Sequence, residues 1–223
     1  KYGTDNMAKG PAMSREEAVK AIEVGISMVA DLKEKGYNVL ATGEMGIGNT
    51  TTSSAVCSVL LDQSVEKVTG KGAGLTNKDL EHKIEVIRQS IALNKVNADD
   101  PLDVLAKVGG LDIAGIAGCY IGGAALNIPV FIDGFISSVA ALIAIRLVPE
   151  CAPYLFPSHC SNEPAGRMIL DAIGKQPYIL ANMCLGEGTG AVMGFTIADY
   201  AFKAYWELPS FEQTNFGTYE ELN

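Results

Sequence analysis

Short apolar segments alternate along this chain with glycine-rich loops and helices, and that order constrains the fold more than any other feature. Continuous apolar strands are typical of a parallel sheet that is covered on both faces. The pattern therefore predicts one α/β domain over residues 1–206, doubly wound and Rossmann-like, with helices on both faces of a mainly parallel sheet. The predicted strands are residues 37–42, 129–132, 154–156 and 179–185.

Helix signals lie between the predicted strands. Ser14 and Glu17 form a capping box at the start of the first helix, and Gly36 is placed to end it. A polar and aromatic tail, residues 207–223, is expected to pack on an accessory layer or a partner. Further helices are predicted at residues 51–61, at 77–96 with Asn77 as the cap, from Pro101 over a short segment, at 111–126, 135–147 and 164–173, and from the loop 186–190 to Trp206.

Charge and hydropathy exclude several classes of protein. The chain carries 26 acidic and 17 basic side chains, a net charge of -9, whereas a nucleic-acid binder needs a basic surface. With 48% apolar and 19% charged residues, the chain does not have the composition of a disordered protein. Residues 128–148 are long enough to span a membrane, but Pro129 and Asp133 favour a buried strand followed by a helix. No membrane contact is therefore expected.

The cysteines and histidines indicate a reducing compartment. The five cysteines include no CxxC pair, and only two histidines accompany them. This pattern contains no zinc-type cluster, so we predict neither a metal nor a cofactor. The simplest interpretation is a cytoplasmic protein.

A glycine-rich loop, residues 43–50, joins the first predicted strand to the second helix. Its sequence, Gly-Glu-Met-Gly-Ile-Gly-Asn-Thr, has Asn49 where the phosphate loop of nucleoside triphosphatases has lysine, which argues against that class. Backbone N–H groups at the start of a helix still favour an anion. We therefore predict that the loop 43–50 binds a phosphate, with a tight strand-to-helix turn as the alternative.

Four charged residues lie in loops at predicted strand ends or between glycines, where parallel sheets bind ligands. Lys71 either reaches a phosphate or is a solvated surface lysine. Glu187 is either a general base or an acid that stabilises the start of the next helix. Asp133 is either a ligand contact or a cap on the helix that follows it. Glu44 would repel a phosphate, so we expect it to face a ribose hydroxyl or a cationic ring.

Ser158, His159 and Ser161 lie close together in sequence, which invites comparison with the nucleophile and base of a hydrolase. The G-x-S-x-G turn that presents such a serine is missing here. His159 is therefore predicted to be a hydrogen-bonded loop residue. His82 falls on an amphipathic helix and is predicted to lie at the surface.

Four motifs together are more specific than any one of them. They are Gly43-Glu-Met-Gly-Ile-Gly-Asn-Thr-Thr51, Thr69-Gly-Lys-Gly-Ala-Gly74, Val130-Phe-Ile-Asp-Gly-Phe135 and Leu185-Gly-Glu-Gly-Thr-Gly-Ala191. In this order along the chain, they closely resemble the nicotinate-nucleotide–dimethylbenzimidazole phosphoribosyltransferase family. The resemblance extends to about Trp206, and it implies that roughly a further third of the family's chain lies upstream of Lys1.

The resemblance implies a reaction and roles for residues. In this family, nicotinate mononucleotide gives its phosphoribosyl group to a ring nitrogen of 5,6-dimethylbenzimidazole, nicotinate leaves, and the anomeric carbon inverts. The motif glutamates fall on Glu187, as general base, and on Glu44. We expect Glu187 to lie in an apolar setting. The implied phosphate and ribose contacts are Gly46, Gly48, Asn49, Thr50, Lys71, Ser161 and Asp133, and the implied acceptor contacts are Leu185 and Gly186.

The family resemblance also implies a homodimer, for which the apolar helices 111–126 and 135–147 offer surface. Two other functions stay open at this stage. One is a phosphoribosyltransferase that uses another base or a phenolic acceptor, because acceptor choice depends largely on the upstream segment. The other is a non-catalytic relative that binds the nucleotide only.

Overall fold

The computed structural model describes residues 1–214, and its centre is a parallel sheet of three short strands. The strands are β1 (Leu40–Ala41), β2 (Val130–Ile132) and β3 (Leu155–Pro157), in the order β1-β2-β3. Both pairs are parallel, with Val130 opposite Leu40 on one side and opposite Leu155 on the other. The predicted α/β fold with a mainly parallel sheet is confirmed.

Nine α-helices and one 3-10 turn surround the sheet within residues 1–214. The predicted helices are confirmed, and a short helix after residue 64 was not predicted. Thr76 rather than Asn77 caps the fourth helix, because its hydroxyl accepts the backbone N–H of Asp79. The helices are α1 (Arg15–Glu34), α2 (Thr50–Leu60), α3 (Val65–Val68), α4 (Asn77–Asn94), α5 (Pro101–Val108), α6 (Leu111–Ala125), α7 (Phe135–Leu147), α8 (Gly166–Ala172) and α9 (Thr189–Glu207), with the 3-10 turn at Pro149–Tyr154.

Side chains of the central strand β2 point alternately to the two faces of the sheet. Val130 and Ile132 belong to the main apolar core. Phe131 points to the other face, where its ring meets Phe195 of α9 edge-on, with centroids 4.9 Å apart. Helices therefore cover both faces, as the apolar strands predicted, because β2 is buried at all three of its positions.

The predicted fourth strand, residues 179–185, is wrong except at its first residue. Ile179 forms one parallel bridge, in which its N–H donates to the carbonyl of Ser158 at 2.9 Å. Beyond it, Asn182 has a φ of +50° and Gly186 a φ of +79°. Left-handed residues interrupt an extended strand, so this apolar segment becomes a loop that carries side chains to the sheet edge.

The helices that were expected to offer a dimer surface are largely used inside the chain. Residues 135–144 of α7 are all buried, and α6 packs along α1. The expectation for α7 is therefore wrong, because its apolar side chains form the core instead. Large apolar side chains are exposed on α9 and just beyond it: Tyr200, Phe202, Tyr205, Trp206 and Leu208.

The end of the chain is described only in part. Residues 208–213 are exposed. The remainder of the predicted packing tail, residues 215–223, lies outside the described residues, so its packing stays a prediction. Within residues 1–214, no helix is both long enough and apolar enough to cross a membrane.

Candidate active site

The loops at the carboxyl ends of the three strands meet around a cavity of about 460 Å³. The loop after β1, the first residues after β2 and the segment after β3 each form one side of it. Parallel sheets bind ligands at this edge. The lining residues that the sequence predicted as site residues are Glu44, Gly46, Thr50, Asp133, Ser161, Leu185, Gly186 and Glu187.

Glu44 and Glu187 lie on two loops that are joined through their backbones. The N–H of Glu187 donates to the carbonyl oxygen of Glu44 at 2.9 Å. The loops can approach this closely because a Cβ on Gly43 would lie 2.5 Å from the Cα of Gly188. The Glu44 carboxylate also accepts the N–H of Gly46 at 2.6 Å, which holds this side chain at the cavity. The structure thus brings together the two glutamates that the sequence singled out.

Glu187 has an unusual backbone. Its φ is +58°, and Gly186 and Gly188 on either side both have a φ of +79°. A left-handed conformation is unfavourable for a residue with a Cβ, so surrounding contacts must hold it. The Glu187 side chain is exposed. The apolar setting that we expected is therefore not formed by residues 1–214.

Asp133 caps a helix, but not the one that follows it in sequence. Its side chain is 1% exposed. Oδ2 accepts the N–H of Gly188 at 3.0 Å, and Oδ1 accepts those of Gly190 at 2.8 Å and Ala191 at 3.2 Å. These donors belong to the N-cap residue and the first turn of α9. The alternative of a cap on α7 is therefore wrong, because the carboxylate is turned across the sheet edge toward α9.

His159 is a buried residue in the wall of the cavity, 2% exposed. Its Nδ1 lies 3.0 Å from the Oγ of Ser158, which itself donates to the carbonyl of Ile132 at 2.7 Å. Because the serine proton is used, Nδ1 is assigned as the donor. Burial lowers the pKa of His159, and Asp133, whose Oδ1 is 4.0 Å away, partly opposes that shift. The prediction of a hydrogen-bonded loop residue is confirmed.

The predicted phosphate residues divide into two groups. Gly46 and Thr50 line the cavity, whereas Gly48, Asn49 and Lys71 are not among its lining residues. The amide of Asn49 donates to Asp112 at 2.7 Å, so this side chain ties the start of α2 to that of α6. The side chain of Lys71 is exposed.

A second lysine, Lys83, lies behind Thr50 and was not among the site residues predicted from the sequence. Its side chain is 7% exposed, and Nζ donates to Thr50 Oγ1 at 2.8 Å and to the carbonyl of Gly70 at 3.0 Å. Burial lowers the pKa of Lys83. The sequence did contain an indication of this burial, because Lys83 lies on the same face of α4 as the buried residues Ile87 and Ser90. A lysine at that helical spacing is unusual.

Glu163 is the other missed residue. It lines the cavity, and its Oε2 atom is buried without a hydrogen-bond partner in the structure. Burial raises the pKa of Glu163, while the nearby Lys83 lowers it. Ser161, which also lines the cavity, accepts the N–H of Glu163 at 3.3 Å. This corner therefore carries both a buried ammonium, from Lys83, and a half-buried carboxyl group, from Glu163.

The cavity wall is acidic. Its charged lining residues are Glu44, Asp133, Glu163 and Glu187, and no lysine or arginine of residues 1–214 lines it. A concave wall of one charge sign attracts the opposite charge, so a cationic ring is well matched to it. Exposed Met45, Ile47 and Leu185 add apolar surface at the rim. Over the same described residues, no three side chains of the metal-binding types converge on a common point.

Comparison with known proteins identifies what this chain is similar to. The model of a family described as phosphoribosyltransferase (DBI_PRT) matches residues 1–216. A nicotinate-nucleotide–dimethylbenzimidazole phosphoribosyltransferase from Ruminiclostridium cellulolyticum is 55% identical over 220 residues, 99% of this chain and 62% of that protein. A protein of the same name from Acetivibrio thermocellus is 52% identical over 98% of this chain and 62% of its own length.

A solved structure agrees with these relatives. The crystal structure of CobT from Thermus thermophilus superposes with a TM-score of 0.88 at 36% identity. The match covers 94% of this chain and 62% of that one. The present chain thus spans about three fifths of the length of the relatives that it matches.

Proposed function

This chain belongs to the phosphoribosyltransferase family that the DBI_PRT model describes, and on that premise we propose its reaction. It transfers the phosphoribosyl group of nicotinate mononucleotide to 5,6-dimethylbenzimidazole, which gives α-ribazole 5′-phosphate and nicotinate, a step in the assembly of the cobalamin nucleotide loop. The names of the relatives support these substrates. The observation that carries the proposal is the hydrogen bond at 2.9 Å between Glu187 N and Glu44 O, which sets two carboxylate-bearing loops side by side on one cavity.

Bond formation and bond breaking follow from the two substrates. The unprotonated ring nitrogen of the benzimidazole attacks C1′ of the ribose from the face opposite the leaving group. The bond from C1′ to the pyridinium nitrogen breaks, and its electron pair goes to that nitrogen, so nicotinate leaves with a neutral ring. The N–H on the second nitrogen of the benzimidazole loses its proton to the carboxylate of Glu187. A positioned base of this kind contributes about 10²–10⁴-fold.

The acidic wall supports this assignment. The pyridinium ring of nicotinate mononucleotide is cationic, and the ribose acquires positive charge as the bond to nitrogen breaks. Glu44, fixed by the N–H of Gly46, is placed to stabilise that charge electrostatically. The first turn of α2, which begins at Thr50, supplies backbone N–H groups for the phosphate. Lys83 lies directly behind Thr50 and adds the cation that the wall itself lacks.

The proposed reaction is tested with the chain, nicotinate mononucleotide and 5,6-dimethylbenzimidazole, with products separated by chromatography and identified by mass. Formation of α-ribazole 5′-phosphate together with an equal amount of nicotinate is the expected result. Calorimetry with nicotinate mononucleotide alone is run beside it. Nucleotide binding without any product would contradict the transferase and favour a binding module.

The acceptor is tested separately. Adenine and phenol, offered in place of 5,6-dimethylbenzimidazole, are expected to react more slowly. A higher kcat/KM with either of them would replace the proposed acceptor while leaving the transferase reaction in place.

We also propose that the enzyme is a homodimer of the cytoplasm. The five cysteines are all free, in agreement with a reducing compartment. The exposed apolar side chains of α9, including Tyr200 and Phe202, are the available surface for a second copy. Sedimentation velocity is expected to give twice the mass of the chain, and a monomer at micromolar concentration would contradict this part of the proposal.

A further inference from the structure

Asp133 connects the centre of the sheet to the loop that carries Glu187. It directly follows β2, the middle strand, whose three residues are all buried. Asp133 accepts a hydrogen bond from Gly188, which lies 55 residues later in the chain. Both carboxylate oxygens are used: Oδ2 accepts the N–H of Gly188, which precedes α9, and Oδ1 accepts two N–H groups of the first turn of α9. A carboxylate with ionic hydrogen bonds of this kind is a strong anchor.

The first turn of α9 has no room to move around this anchor. A Cβ on Gly190 would collide with the ring of His159 and would lie 2.9 Å from Asp133 Oδ1. The backbone of Gly190 is therefore pressed against both buried side chains. Because His159 is itself hydrogen-bonded to Ser158, the turn packs against a side chain that is fixed in place.

Glu187 is the residue immediately before this anchored turn. Its left-handed backbone, with a φ of +58°, persists only if the chain on both sides is fixed. The carbonyl of Glu44, on the neighbouring loop, accepts the N–H of Glu187. One residue later along the chain, Asp133 accepts the N–H of Gly188. These two contacts together set the direction in which the Glu187 side chain leaves the backbone.

We propose that Asp133 is a positioning residue for Glu187, rather than a contact to the nucleotide; the inference rests on the proposed function. By accepting the N–H groups of Gly188, Gly190 and Ala191, it fixes the turn from which the Glu187 carboxylate reaches the acceptor. Loss of this anchor leaves the phosphate end of the cavity intact and displaces the base. The two roles have different kinetic signatures, because a ligand contact affects nucleotide affinity and a positioning residue affects turnover.

The first test is the substitution Asp133→Asn, with Asp171→Asn, at an exposed position of α8, as the matched carboxylate-to-amide control. The amide group of asparagine places a donor where backbone N–H groups need an acceptor. We expect kcat to fall about 10- to 100-fold, as for a displaced catalytic group, with the KM for nicotinate mononucleotide unchanged. The control is expected to leave both unchanged. A raised KM with an unchanged kcat would assign Asp133 to the nucleotide and overturn the proposal.

A double substitution tests whether Asp133 acts through Glu187. If it does, Asp133→Asn combined with Glu187→Gln lowers kcat no further than Glu187→Gln alone. If the double substitution instead lowered kcat by the product of the two single effects, Asp133 would act independently of Glu187, and the proposal would be overturned. Should Asp133→Asn fail to fold, Asp133→Ser replaces it, because serine keeps one acceptor of the kind that caps helices.

A third measurement does not depend on activity. Hydrogen exchange of the amides of Gly188, Gly190 and Ala191 is expected to be slow in the wild-type chain and faster in Asp133→Asn, with exchange in α2 unchanged. Unchanged exchange in the first turn of α9 would overturn the anchoring role even if the chain proved to have no transferase activity. Anchoring without any wild-type turnover would instead count against the proposed function alone.

Discussion

The ammonium group of Lys83 lies 2.8 Å from the hydroxyl of Thr50, at the start of α2 and behind the wall of the cavity. The same ammonium donates to the carbonyl of Gly70, in the second glycine-rich loop. A buried cation therefore joins both glycine-rich loops at the end of the cavity where we place the phosphate. Lys71, for which the family resemblance implied this task, is exposed and outside the lining residues.

Lys83→Met is expected to weaken the binding of nicotinate mononucleotide about 10- to 100-fold, because it removes the buried cation behind the phosphate end of the cavity and the charged hydrogen bond that holds the Thr50 hydroxyl, an interaction worth about 1.5–3 kcal/mol. Lys71→Met, the matched control, is expected to bind as the wild type does. Calorimetry measures both affinities, and circular dichroism checks that each variant is folded. If Lys71→Met bound nicotinate mononucleotide more weakly than Lys83→Met, Lys71 would be the cation that binds the phosphate.

Glu187→Gln is expected to lower kcat about 10²–10⁴-fold, because glutamine cannot accept the acceptor's proton. Glu207→Gln, at the exposed end of α9, removes a carboxylate outside the cavity and is expected to leave kcat unchanged. Steady-state turnover of nicotinate mononucleotide with 5,6-dimethylbenzimidazole gives both values. Near wild-type turnover by Glu187→Gln would remove this residue as the base.

Gly43→Ala is expected to separate the loops of Glu44 and Glu187, because its Cβ would lie 2.5 Å from the Cα of Gly188. Overpacking of this kind costs about 1–3 kcal/mol in the free energy of unfolding, and turnover should fall as well. Gly10→Ala is the control, since a Cβ there meets nothing within 4 Å. Urea denaturation and turnover are compared for the two variants. Equal stability and equal activity would show that the loops do not need this contact.

The stability of the chain is expected to depend on the protonation of His159. Its pKa is lowered from 6.5 by burial, so the unfolded chain binds a proton more readily than the folded chain does. The stabilising contribution of the neutral ring is therefore present above about pH 6.5 and is lost as the pH falls through the lower folded pKa.

This pH dependence is measured by urea denaturation at about pH 8 and about pH 5.5. The free energy of unfolding of the wild type should fall more between these values than that of His159→Asn, in which the amide can still donate to Ser158. His82→Asn, at an exposed position, is the control. Parallel changes in the wild type and in His159→Asn would show that the buried ring does not titrate with unfolding.

The local features of this chain were predictable because they depend on neighbours in sequence. Apolar runs and glycine loops indicated the order of strands and helices, and the capping box at Ser14 marked the start of α1. Glu44 and Glu187 stood out because each lies in a glycine-rich loop after an apolar segment. The cavity does bring these two residues together.

Other features depended on contacts between distant parts of the chain. The segment 179–185 is apolar enough for a strand, yet a left-handed Asn182 and a single bridge to His159 make it a loop. Asp133 turns to a helix that starts more than 50 residues later, and Lys83 reaches Thr50 from a different helix. Periodicity and turn chemistry describe a residue's near neighbours only, whereas the partners of a buried charge are chosen by packing. The sequence by itself therefore determined which loops line the cavity, and the tertiary structure alone decided which buried groups hold them in place.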